Sequence, residues 1–193
     1  MEITTLPKKW QAKNRPLQHA TYRMLEGYAE WCSHALTLTM HDTKNGTHVI
    51  RSGWAKGAIS KYEAQITPAA AEASLRYFIE ALNYKLWGRR TRNPIYSNRC
   101  RIVAIPVLEG MNGQKRLHAH LIIGNIPKEK LSIFEDVARA IWAQSKWGMA
   151  RMEFREIYDT SGAGYYVAKE VGYINDDAVR WNIASIPRRL IGG

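Results

Sequence analysis

Residues 116–124 read Arg-Leu-His-Ala-His-Leu-Ile-Ile-Gly. The alternation predicts a β-strand, because successive side chains of a strand leave on opposite faces. Leu117, Leu121 and Ile123, with Ala119 between them, then line the core side, while His118 and His120 share the other. Two imidazoles two residues apart on a strand can hold a cation from one side and leave the rest of its shell open. A half-buried strand whose polar face carries two histidines fits the stretch equally well, so its neighbours must decide.

The preceding segment supplies a third donor. Met111-Asn112-Gly113-Gln114 is a hairpin signal, since Asn-Gly tolerates the positive φ angles of a two-residue turn. With Asn112 and Gly113 in the turn, Glu109 pairs with Arg116 and Val107 with His118. Glu109 then shares the histidine face, diagonal to His118 and within side-chain reach. Two imidazoles and a carboxylate form an open-sided site for a divalent cation. A bulge would reverse the face of Glu109, and the competing use of this carboxylate is an ion pair with Arg116.

Other elements follow from periodicity. Helical spacing runs from Ala20 to Trp31 through Met24, Leu25, Tyr28 and Trp31. A strand over His34–Met40 sets Leu36 and Leu38 against Thr37 and Thr39. Residues 42–63 are irregular, with Asn45-Gly46 as a turn and Gly53 and Gly57 as loosening positions. Thr67-Pro68 opens a helix as capping hydroxyl and first-turn proline. It runs to about Trp87, with Leu75, Phe78, Ile79 and Leu82 as its apolar stripe and Gly88 as its stop. Arg101–Leu108 is a strand, and Lys128–Trp147 a helix that turns Leu131, Phe134, Val137, Ala138 and Ile141 inward. Met149–Ile157 is a further strand, Asp159–Gly164 a turn, and Tyr165–Val171 a short helix stopped by Gly172. This order predicts an α+β fold, an antiparallel sheet with helices packed on it. The organisation expected is a basic arm over 1–18, one domain over 19–175 and a C-terminal extension over 176–193.

Charge narrows the partner. Lys and Arg number 28 against 17 Asp and Glu, a formal +11, and such a surplus points first to nucleic acid. Ala81 to Leu108 holds six basic residues and no acidic one. We expect this loop, with Arg89, Arg90, Arg92 and Arg99, to contact phosphates, joined by Lys115 and Arg116 ahead of the histidine strand. Cys32 and Cys100 form neither a disulfide framework nor a zinc knuckle. No apolar run is long enough to span a bilayer, so a cytoplasmic protein without a membrane partner is expected. The absence of a G-x-x-x-x-G-K-[ST] stretch argues against a built-in nucleotide-driven motor.

Gly164-Tyr-Tyr-Val-Ala-Lys-Glu-Val-Gly172 is the second informative stretch. On a helical wheel Ala163, Val167, Val171 and Ile174 form one stripe. Tyr166 borders that stripe with Lys169 just beyond it, and Tyr165 falls nearly opposite. Paired tyrosines bordering a core, with a solvent-facing lysine, are the plain alternative. Beside a cation site they have a chemical use: a nearby cation and lysine ease loss of the phenolic proton, whose ordinary pKa is about 10. A divalent ion polarises a phosphodiester and stabilises the charge that develops in transfer. A phosphotyrosine ester conserves the bond's energy, so a cut strand can be rejoined.

These residues together resemble the His-hydrophobic-His (HUH) endonucleases, and among them the rolling-circle replication initiators. Ala35-Leu-Thr-Leu-Thr39 resembles the family's first motif, Leu117-His-Ala-His-Leu121 its second, and Tyr166-Val-Ala-Lys169 its Tyr-x-x-Lys third. All three stand in the family's order, and the resemblance covers about residues 34–172. It implies a ferredoxin-like core with a five-stranded antiparallel sheet, a Mg²⁺ or Mn²⁺ ion, and Tyr166 as nucleophile forming a 5′-phosphotyrosine link. It also implies an acidic third ligand, for which the hairpin register already nominates Glu109. Tyr165 becomes a second candidate nucleophile. The implied partner is single-stranded DNA at a replication origin, in hairpin form, with a host helicase opening the duplex.

A single-strand insertion-sequence transposase shares the histidine pair and a downstream tyrosine, and is the nearest rival. Mobilisation relaxases generally place the tyrosine ahead of the histidines. A histidine-triad hydrolase would need a third histidine where Ile122 stands. From another class, a non-catalytic DNA-binding regulator would carry the same basic surface.

Overall fold

A computed structural model of the chain describes residues 15–49, 56, 59–93, 95–97, 99–110, 116–159 and 178–190. The elements are α1 (Arg15–Ala29), β1 (Cys32–Met40), β2 (Thr43–Val49), β3 (Ile59–Gln65), α2 (Pro68–Trp87), β4 (Val103–Glu109), β5 (His118–Gly124), α3 (Leu131–Gln144) and β6 (Gly148–Glu156). The fold is α+β. Four strands make one antiparallel sheet in the order β4-β5-β1-β6, and β2 and β3 form a separate two-stranded ribbon. The described sheet thus has four strands rather than five. Beside the outer edge of β4 runs the segment from Ala178 to Ser185. Ser185 exchanges two backbone hydrogen bonds with Ala104, Leu108 N–H donates to Ala178 O, and Arg180 N–H donates to Pro106 O. A short 3-10 turn over Trp181–Ile183 interrupts this pairing, so the ladder never becomes continuous.

One face of the sheet carries Leu36, Leu38, Met40, Ala104, Leu108, Ala119, Leu121, Ile123 and Met152 against α2 and α3. Helix α2 begins and ends as its sequence demands. Thr67 Oγ1 accepts from Ala70 N–H at 3.2 Å with Pro68 in the first turn, and Gly88 closes it at φ 64°. On α3 the buried set is Phe134, Ala138, Ile141 and Trp142, with Val137 packed beside them. Leu131, expected inward, is 46% exposed, at the first position of the helix and ahead of its buried set. Trp142 replaces it in the core, and its Nε1 donates to Thr39 O at 3.1 Å. That carbonyl lies at the register shift between Leu38 and Met40, where β1 departs from regular pairing with β6.

Among the described residues the opposite face is covered only in part. Leu25, Cys32, Val103, Ile105, Val107, Ile122, Ala178 and Val179 form a second core beneath α1 and the C-terminal segment. Helix α1 begins at Arg15, earlier than Ala20, and buries Gln18, Thr21, Leu25 and Ala29 at helical spacing. Met24 and Trp31 face solvent, at 47% and 49% exposure, because the stripe runs through Leu25 instead. This second core clothes the sheet around Val103 and Ile122. Toward Glu109 and His118 it gives way to polar side chains.

Asn45-Gly46 does not turn the chain. Both lie inside β2, where Asn45 pairs with Glu63 and Gly46 with Tyr62. Among the described residues no helix is long and apolar enough to cross a membrane.

Candidate metal centre

The polar end of that face is built by three strands. Thr37 and Thr39 of β1 pair with His120 and His118 of β5, and on the far side of β5, Val107 and Glu109 of β4 pair with the same two histidines. The alternation that sends Leu36, Leu38, Ala119 and Leu121 into the core sends Thr37, Thr39, His118 and His120 outward together. Glu109 lies directly opposite His118, not diagonal to it, since the ladder is displaced by two residues from one centred on Asn112 and Gly113. A two-residue displacement preserves parity, so Glu109 keeps the face expected of it. Residues 111–115 themselves lie outside those described.

The three side chains converge. Glu109 Oε2 is 2.9 Å from His120 Nε2 and 3.1 Å from His118 Nε2, and one donor atom from each residue lies within 4.8 Å of the others. Glu109 and His120 are buried, whereas the His118 side chain keeps 21% of its surface exposed and opens the site to solvent. Each imidazole is oriented from behind. His118 Nδ1 lies 2.8 Å from Arg116 O, and because a carbonyl only accepts, this nitrogen carries the proton. His120 Nδ1 lies 3.1 Å from Thr37 Oγ1. The Arg116 carbonyl fixes the His118 tautomer that leaves the Nε2 lone pair free for a cation, and the Thr37 hydroxyl, which can accept from Nδ1, permits the same tautomer at His120. The rings stand nearly perpendicular, at 86°, with centroids 5.0 Å apart.

The group can hold a metal ion. Donors bound at about 2.1 Å around an octahedral ion stand about 3.0 Å apart along each edge. The two nitrogen–oxygen separations, 2.9 and 3.1 Å, match that edge. With Nδ1 donating to Arg116 O, the Nε2 of a neutral His118 would offer a lone pair toward Glu109 Oε2, 3.1 Å away, and a cation held between them would be ligated by both. Two nitrogens and one oxygen suit a divalent ion of intermediate hardness and leave coordination positions open.

Arg116 does not pair with Glu109. Its guanidinium Nε donates to Asp42 Oδ2 at 2.9 Å, while its backbone orients His118. The other described basic residues named from sequence lie elsewhere. Arg89, Arg90 and Arg92 occupy an exposed 3-10 turn after α2, Arg92 sitting 5.4 Å from the Tyr84 ring centroid, and Arg99 is exposed on the approach to β4. That loop enters β4 at Val103, six residue steps or about 20 Å from Glu109. Lys115, Tyr165, Tyr166 and Lys169 lie outside the described residues.

Three features escaped sequence reasoning. The alternation of β1 puts Thr37 on the polar face and says no more, although its parity with His120 across β1–β5 was a usable signal. The Arg116 carbonyl is a backbone partner with no sequence signature. Exposed Arg151, Glu153 and Arg155 of β6 continue the same face beyond Thr37, with Arg155 ion-paired to Glu153 at 3.5 Å. No protein-family model, curated protein or solved structure matches the chain.

Proposed function

We propose that this protein is a metal-dependent DNA strand transferase: it nicks single-stranded DNA and rejoins it through a phosphotyrosine ester, in the manner of HUH rolling-circle replication initiators. The observation that carries the reading is the Glu109–His118–His120 group. It has two strand-borne imidazoles, a buried carboxylate on the neighbouring strand, an orienting partner behind each ring, and a partly exposed His118. Mg²⁺ or Mn²⁺ held there would supply charge stabilisation at the scissile phosphodiester.

The nucleophile in this reading is Tyr166. Its oxygen attacks phosphorus, the bond from phosphorus to the 3′ oxygen breaks, and the released 3′ hydroxyl takes up a proton. The DNA 5′ phosphate remains on the tyrosine, and the reverse attack by a 3′ hydroxyl reseals the strand. Lys169 eases loss of the phenolic proton and balances developing negative charge. Support for this stretch comes from its motif, Tyr166-Val-Ala-Lys169, downstream of the histidine strand. The formal charge of +11 suits a polyanionic substrate. Half-buried Thr37 and Thr39 and the exposed β6 arginines Arg151 and Arg155 share the face of the metal centre and suit contact with a strand.

The test is direct. The protein is incubated with Mn²⁺ and single-stranded oligonucleotides, then resolved on a denaturing gel. A band of covalently linked protein and DNA that vanishes with chelator is expected. Metal-independent retention of uncut DNA would identify a binding protein with no nicking activity.

A further inference from the structure

The β2–β3 ribbon has no role in the site so far described. It leaves the sheet after Met40 and returns at Ile66, whose N–H donates to Asp42 O at 2.9 Å and closes its root. Asp42 is held by Arg116, whose carbonyl orients His118. The ribbon is therefore rooted at the metal-site end of the sheet, three residues beyond Thr39, the partner of His118. Seven residue pairs give it a length of about 23 Å. Among the described residues no third strand joins it, and Ile59 is 71% exposed. An isolated two-stranded ribbon is marginal in water, so one that projects from a domain calls for a partner.

Its chemistry identifies that partner. By parity Thr43, Asn45, Lys61, Glu63 and Gln65 share one face, and all five are exposed. On the other face Lys44 and Ala64 are half-buried. By the same parity exposed Ile59 ends this face, so it offers solvent five hydrogen-bonding side chains and one apolar one, a mix that suits base edges and a thymine methyl better than a protein core. Lys44, Lys56 and Lys61 outnumber Glu63, and Asp42 is already paired with Arg116. The major groove of B-DNA, about 12 Å wide, admits a two-stranded ribbon, where Asn and Gln read adenine, Lys reads guanine and Glu accepts from cytosine. We propose that the β2–β3 ribbon enters the major groove of duplex DNA beside the strand to be cut, and selects its sequence through Asn45, Lys61 and Gln65. This rests on the nicking reading for its setting, and deepens it: the protein binds a junction, with duplex on the ribbon and single strand at the metal.

The test uses three full-length proteins: wild type, Asn45→Ala/Lys61→Ala/Gln65→Ala, and His118→Gln/His120→Gln. Each is presented with a pool of duplexes carrying a randomised segment, and separately with a pool of random single strands plus Mn²⁺. Wild type should enrich a duplex consensus and prefer it over a scrambled duplex. The ribbon variant should lose that preference by roughly tenfold for each base-reading side chain removed, while keeping its melting temperature and its cleavage of single strands. The histidine variant should keep the duplex preference and lose cleavage. A wild-type protein that enriches no consensus, or a ribbon variant that keeps the wild-type preference, overturns the proposal. Wild type that selects a duplex through the ribbon yet cuts nothing leaves the ribbon's role standing and removes the nicking reading instead.

Discussion

Thermal unfolding with and without Mn²⁺ reads the metal centre without any knowledge of the DNA. A ligand that binds only the folded state stabilises it by RT ln(1 + [L]/Kd), about 2.7 kcal/mol at a hundredfold excess over Kd. For a chain of this length 1 kcal/mol corresponds to about 2–4 °C, so saturating Mn²⁺ should raise the melting temperature by about 5–11 °C. Replacing both histidines with alanine should abolish the shift. That variant also strips Glu109, 4% exposed, of two partners, which costs about 1–3 kcal/mol in the absence of metal. The site face is not solvated surface, and the double alanine variant starts from a lower baseline. His118→Gln/His120→Gln, which retains amide donors toward the carboxylate, separates that cost from the effect of losing the metal. Glu109→Ala should weaken Mn²⁺ binding without abolishing it, because two nitrogens remain. Equal Mn²⁺ shifts in wild type and the glutamine variant, measured by calorimetry across a Mn²⁺ titration, would refute the assignment of these ligands.

Three further outcomes follow from the geometry. Thr37→Val removes the hydroxyl behind His120 and should weaken Mn²⁺ affinity by about 10–100-fold with little change in fold, read by the same titration. His34 is buried between the Phe134 and Phe154 rings, and burial lowers its pKa from the usual 6.5 more than Glu156 and Glu135 raise it. The unfolded chain therefore takes up the proton first, so stability is lost as pH falls from about 6.5 through the lowered folded value. His34→Phe should flatten the fall in melting temperature over that window. Replacing Arg89, Arg90 and Arg92 together should make DNA binding less sensitive to salt, the slope falling by roughly one unit for each arginine that neutralises a phosphate. An unchanged slope would leave the loop, about 20 Å along β4 from Glu109, as solvated surface.

How much the sequence disclosed varied with the kind of signal. Alternation in residues 34–40 and 116–124 placed β1 and β5 and sorted both faces correctly, because one face of each strand is packed and a slip would bury the wrong set. Thr67, Pro68 and Gly88 marked the ends of α2, where backbone chemistry is local. The triad survived a wrong hairpin register because parity is unaffected by a shift of two. Asn45-Gly46 misled because none of the ribbon's described side chains is fully buried and no alternating apolar pattern marks the stretch, so turn chemistry was the only signal. Leu131 of α3 was expected inward and Trp142 was not named, for want of a helix boundary, which depends on tertiary packing. The separation of the arginine loop from the metal site was invisible, since charge along a chain carries no distance. The segment beside β4 was also hidden, because Ala178, Val179 and Ser185 bury themselves singly with no strand periodicity.

Mass spectrometry of the trapped covalent complex tests the nicking reading most directly. Protein incubated with Mn²⁺ and single-stranded DNA is digested with nuclease and protease, and the nucleotide-bearing peptide is sequenced. Tyr166 is expected to carry a single 5′-linked nucleotide. Tyr166→Phe should yield no adduct, Tyr165→Phe should retain nicking, and Lys169→Ala should slow it without preventing DNA binding. A nucleotide on Tyr165 and none on Tyr166 would contradict the assigned nucleophile, and cut DNA with no adduct on any tyrosine would contradict phosphotyrosine chemistry altogether.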